Sequence, residues 1–211
     1  MKLRLVSRLT ILCVGAYTAL GATEEVPGKP LVLVSLKHGS LSTRYLRAAE
    51  LVAEKILSAA DIRLKWSSSK FSIELRQRAT LLTEVDLLID TPVNFRPASL
   101  AYTNLSPQSG RRIIVFWDRV QESVREENWS KTLGHVMAHE ITHILQRRKG
   151  HSTEGLMMAH WATTDLSRMA FSALLLSSDD IELIRQGMNE VSRTKPTVRI
   201  SPPQELDSSP K

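Results

Sequence analysis

The chain has 211 residues, of which 42% are apolar and 24% charged, with 9 Gly and 9 Pro. That composition excludes a disordered, collagenous or multi-span membrane protein and leaves room for about one domain. The formal charge is +6, and the single cysteine excludes an intrachain disulfide and a cysteine-based zinc site.

Half of that charge lies at the amino terminus, in Lys2, Arg4 and Arg8. The apolar run Leu9 to Leu20 follows, then the small residues Gly21 and Ala22. This order predicts a secretory signal peptide over residues 1–22 and a secreted or periplasmic destination. The run is short for a membrane span of ~20 residues, so an uncleaved anchor is the weaker reading. Removing the segment also removes Cys13 and leaves a thiol-free chain of charge near +3. That balance, with no Lys/Arg stripe interleaved with aromatics, argues against a nucleic-acid partner. No later segment is apolar enough for a stable membrane span.

Residues 23–29 read as a linker. Leu31 to Leu36 is a short β-branched and leucine run, expected as a buried strand. After the turn His38-Gly39-Ser40, apolar residues recur at Leu46, Ala49, Val52, Ala53, Ile56, Leu57 and Ala60, which predicts an amphipathic helix over 41–60. Strands are expected at Ile62–Trp66 and at Asp86–Asp90, the latter closed by Thr91-Pro92. Ser99–Leu105 and Arg112–Trp117 flank a turn at 106–110, a strand–turn–strand pattern. A long helix is expected over Trp129–Arg148. More helix follows towards Asn189, with Ser177 or Ser178 capping a last helix that carries Asp179 and Asp180 in its first turn. The proline-rich segment 191–211 reads as a disordered tail. The pattern predicts one α+β domain over residues 30–190.

The informative segment contains His139-Glu140-x-x-His143. On a helix, residues four apart share a face, with Cβ atoms ~5–6 Å apart, so two imidazoles can ligate one zinc ion. Zinc brings the pKa of a coordinated water to about 7, and a carboxylate at Glu140 is placed to take its proton. Leu133, Met137, Ile141, Ile144 and Leu145 form an apolar stripe. His135, His139, Thr142, His143 and Gln146 lie opposite, so the stripe is expected in the core and the histidines in a cleft. The bland alternative is a pair of hydrogen-bonded surface histidines.

A catalytic zinc usually takes three protein ligands. His151 is the leading candidate for the third, because the helix is expected to end near Arg148 or Lys149 and Gly150 to turn the chain back. Glu154, Asp165 and Glu182 are the alternatives. His135 is either a fourth ligand or, as favoured here, a cleft-lining or capped polar residue. His38 and His160 read as surface or structural histidines. Trp161 and Phe171 to Leu176 read as core, and Arg147-Arg148-Lys149 as a solvated helix end.

These residues resemble the metzincin zinc metallopeptidases, and their matrixin-like branch in particular. The resemblance rests on His139, Glu140, His143, His151-Ser152 and Gly155-Leu156-Met157. Upstream it extends through Leu100-Ala101-Tyr102, Gly110, Ile113 to Phe116, Asp118 and Trp129, about residues 99–161 in all. It implies a small twisted mixed sheet, an active-site helix and C-terminal helices. It also implies a structural methionine turn at Met157 rather than Met158, and a strand bordering the cleft that pairs with extended peptide. Two departures stand out: Gln146 replaces the family's glycine, and the interval from His143 to His151 is two residues longer.

The resemblance implies a zinc-dependent endopeptidase acting on a peptide or protein substrate, with Zn2+ held by His139, His143 and His151 and with Glu140 as general base. The competing reading is a non-catalytic zinc-binding interaction domain on the same scaffold. A zinc hydrolase acting on another amide stays open.

Overall fold

The structure, a computed structural model, describes residues 28–106 and 111–194. The expected signal peptide, the turn residues 107–110 and the chain beyond Thr194 lie outside them. Among the described residues no helix is long and apolar enough to cross a membrane.

The fold is α+β. Strands β1 (Leu31–Lys37), β2 (Arg63–Ser67), β3 (Leu81–Leu88), β4 (Ala101–Asn104) and β5 (Arg112–Phe116) form one sheet in the order β2-β1-β3-β5-β4. All pairs are parallel except β4 with β5. The antiparallel β4 is thus an edge strand. Alternation along β1 divides its side chains between two faces. Val32, Val34 and Leu36 join the main core, while Leu31 and Leu33 pack with Ala79 in a small second cluster.

The main core lies between the sheet and two helices, α1 (Thr43–Ser58) and α4 (Trp129–Gln146). In α1 the buried residues are Leu46, Ala49, Ala53, Ile56 and Leu57, the stripe that its periodicity predicts. Gly134 lets the two helices cross closely: a Cβ there would sit 2.6 Å from Val52 Cβ and 2.7 Å from the Ala49 carbonyl. The short helices α2 (Ile73–Arg78), α3 (Trp117–Ser123) and α5 (Thr163–Met169) and the long α6 (Ser178–Thr194) complete the fold.

Several expectations need correction. The strand expected at Asp86–Asp90 begins five residues earlier and ends at Leu88. Its polar residues are paired, and of its charged residues Asp86 is buried and Glu84 exposed. Asp86 is buried with Arg112 and Lys37 beside it, and Glu84 meets Lys37 at 3.1 Å. Trp117 starts α3 instead of ending a strand. Helix α6 runs to Thr194, past the helix end expected near Asn189. In the segment expected as core, Leu174 and Leu176 are buried, but Phe171 and Leu175 are exposed.

The helix α4 differs most. It is buried on all sides from Thr132 to Gln146, so its polar side faces protein as well as a cleft. It also stops early. Arg147, not Gly150, takes the left-handed conformation (φ 55°). The Arg148 N–H donates to the His143 carbonyl and the Arg147 N–H to that of Ile144, a Schellman ending without glycine.

Candidate metal centre

That helix ending shapes the site. Reversal at Arg147 carries the Arg148 carbonyl back over His143, where it accepts from Nδ1 at 3.0 Å. On the preceding turn, His139 Nδ1 donates to the Leu156 carbonyl at 2.8 Å. With both Nδ1 atoms engaged by backbone, both Nε2 atoms are the free ones, and they lie 3.1 Å apart. Burial holds both rings well below the ordinary histidine range, His139 at about 4 and His143 at about 3. They are therefore neutral at pH 7, the form that ligates a metal.

His151 completes the cluster from the loop after α4. Its ring centroid is 4.9 Å from that of His143 and 5.4 Å from that of His139. One nitrogen from each of the three rings falls within 4.8 Å of the others. Two imidazole nitrogens span at most about 4.2 Å across one zinc. The spread is slightly wider, and the ring with room to close it is His151, which is exposed while its partners are buried. The donor set therefore fits a zinc ion.

The loop from 147 to 161 is tied down at several points. Gly155 adopts φ 72°, and a Cβ there would collide with the Leu175 carbonyl. The Leu156 N–H donates to that same carbonyl at 2.8 Å. The Leu156 carbonyl accepts from Trp161 Nε1 as well as from His139, and the Trp161 ring stands edge-on to His139 at 5.5 Å. Met157 is fully buried, and its carbonyl accepts from the Ser152 N–H. Met158 is half-buried and lines the cleft.

Beside Ser152, the residue after His151, sits Asp180, only 1% exposed. One carboxylate oxygen accepts from the Ser177 N–H and Oγ, while Ser177 Oγ accepts from the Asp180 N–H, a capping box that starts α6. The other accepts from Ser152 Oγ at 2.6 Å and lies 3.4 Å from Gln146 Nε2. The glutamine that departs from the metzincin pattern thus bonds to the same carboxylate as the residue after His151.

Glu140 is 7% exposed. Thr103 Oγ1, on β4, lies 2.6 Å from Glu140 Oε2 and donates to it. Burial raises the carboxyl to about 7, opposed by the Thr103 hydrogen bond and the nearby Arg96 charge. The cleft over Glu140 and the three histidines has a volume of about 450 Å³.

The other candidates stand apart. His135 is buried away from the cluster; Nδ1 donates to the Lys131 carbonyl and Nε2 accepts from the Leu174 N–H. Glu154 is exposed, Asp165 caps α5 and pairs with Arg168, and Glu182 pairs with Arg185. His160 lines the cleft, whereas His38 lies in a separate pocket beside α1 and β2. Sequence reading assigned no role to Thr103 or Arg96, and gave Asp180 only a helix cap. No local pattern marks a hydroxyl on a distant strand, although the acid three residues after Ser177 did mark the cap.

No protein-family model matches the chain, and no curated protein matches it in sequence. Among solved structures it is similar to archaemetzincin from Methanopyrus kandleri, at 14% sequence identity and a TM-score of 0.47. The match covers 77% of this chain and 98% of that one.

Proposed function

We propose that the chain is an exported zinc-dependent endopeptidase of matrixin-like pattern, with a lengthened interval before its third ligand. One observation carries the reading. Three imidazoles converge on one point, two of them with Nδ1 already bonded to backbone, and a buried carboxylate opens on the same cleft.

In this reading His139, His143 and His151 hold the ion, and Met157 is the buried floor of the loop that carries the third ligand. Bound there, zinc supplies a Lewis acid and a water acidified to near neutral pH. Glu140 takes a proton from the attacking water and returns it to the leaving amine nitrogen. Thr103 fixes which carboxylate oxygen is free for that work. The strand β4, last in the sheet order, offers its outer edge to an extended substrate. The basic and apolar pattern of residues 1–22 supports export.

The test is a digest of a broad peptide library by the zinc-loaded chain and by Glu140→Gln. Cleavage by wild type, stopped by a chelator and lowered at least about a hundredfold by Glu140→Gln, is the expected result. Silence from both, with zinc still bound, overturns the catalytic reading and leaves a zinc-binding domain.

A further inference from the structure

The wall of the cleft opposite the histidine loop is the segment between β3 and β4, and it is built at some cost. Two of its non-glycine residues, Arg96 (φ 47°) and Ala98 (φ 61°), hold left-handed backbone conformations. Such conformations are strained for residues with a Cβ and persist only where their surroundings over-determine them. Here α3 does so. Asp118 accepts from the N–H and the hydroxyl of Thr91 at 2.8 and 2.7 Å. The Arg119 guanidinium donates to the carbonyls of Phe95, Arg96 and Ser99. Phe95 adds an aromatic contact, edge-on to Tyr102 at 5.8 Å.

The outcome of this bracing is the placement of one cation. The Arg96 guanidinium lies over the Tyr102 ring, 4.0 Å from its centroid, at the mouth of the cleft. Stacking fixes the plane of the guanidinium and leaves its N–H edge for a partner. Among the described residues no carboxylate lies within ion-pair distance of it. Lys149 and His160 also line the cleft, and Glu140 is the one carboxylate among the described lining residues.

We propose that Arg96 is a specificity-determining residue that recognises a carboxylate of the peptide substrate. The inference rests on the peptidase reading and names the class of substrate, an acidic peptide. A guanidinium held in one plane matches a carboxylate in two parallel hydrogen bonds. The neighbouring Lys149 adds attraction at longer range, and among the described lining residues no acidic side chain other than Glu140 opposes it.

The test is a position-scanned set of quenched peptides, acetylated and amidated, each carrying Glu or its neutral counterpart Gln. A further peptide has its C-terminal carboxylate as the only one. Turnover is read with the zinc-loaded full chain, and binding by fluorescence anisotropy with zinc-loaded Glu140→Gln. At one position Glu should exceed Gln by about fivefold or more. Arg96→Gln should bring that ratio to near one, and Arg96→Lys should leave an intermediate ratio. A gain confined to the free C-terminal carboxylate supports the same recognition and assigns it to a chain end. Equal binding and turnover of Glu and Gln peptides at every position, or a preference that survives Arg96→Gln, overturns the proposal. Preferential binding without turnover by wild type sinks the peptidase reading and leaves the recognition standing.

Discussion

His139 and His143 stand on a helix whose neighbours are all in place, whereas His151 stands on a loop with its ring in solvent. The helix-borne pair is oriented directly, each Nδ1 by one backbone carbonyl. The loop-borne histidine is oriented at one remove, through Ser152 and the carboxylate of Asp180. The difference follows from covalent geometry. Two residues four apart on a helix share a face without further help, but a residue eight positions on needs an anchor from elsewhere in the fold. Here that anchor comes from the first turn of α6.

The sharpest break in this comparison is removal of a ligand from each half. His139→Ala should weaken zinc binding on the order of 10²–10³-fold, the share of one ligand in a zinc site. His151→Ala should cost less, because its ring is exposed and water can take its place. Chelator competition on both variants measures the contrast, and equal losses would erase it. Next in size is Asp180→Asn. It keeps the shape of the side chain but withdraws the charge that accepts from Ser152, and should lower zinc affinity about 10–100-fold. Unchanged affinity with lowered thermal stability would reduce Asp180 to a helix cap.

Thr103→Val leaves both halves of the ligand set intact and frees the Glu140 carboxylate. It should lower kcat/KM about fivefold, the worth of one ordinary hydrogen bond of about 1 kcal/mol, with zinc affinity unchanged; Thr103→Ser should restore most of it. The smallest expected effect is one of pH. Burial lowers the pKa of His135 below 6.5, opposed by its hydrogen bond to the Lys131 carbonyl. The unfolded chain therefore binds the proton more readily, and stability falls as pH drops below about 6.5. Melting curves of zinc-loaded wild type and His135→Gln should diverge there, with the variant flatter; their difference cancels the zinc loss common to both. Parallel curves would deny His135 this role.

Legibility from sequence followed the range of the interactions. The strand β1 and helix α1 were plain, because Val32, Val34 and the α1 stripe repeat at the periods of their elements. The spacing of His139 and His143, one helical turn apart, was legible for the same reason, and the two rings do lie together. The strand β3 was displaced because Thr83, Glu84 and Asp86 interrupt its apolar run, and what settles them is distant in sequence: the Arg111 carbonyl for Thr83, Lys37 for Glu84 and Arg112 for Asp86. The end of α4 was misplaced because a glycine was expected at the reversal, yet two backbone hydrogen bonds hold Arg147 there without one. The full burial of α4 was hidden because its polar residues are satisfied at long range, His135 by Leu174 and Gln146 by Asp180. The same distance hid Thr103 from any reading of the motif.

The capping box at Ser177 and Asp180 also sets an order of events. A growing chain emerges with α4 and the histidine loop ahead of α6. Until the last helix begins, no carboxylate lies beneath Ser152, and the loop carrying His151 is held at one fewer point. The helix start and the loop anchor share a single side chain, Asp180, so fraying of the first turn of α6 also frees the loop that carries His151.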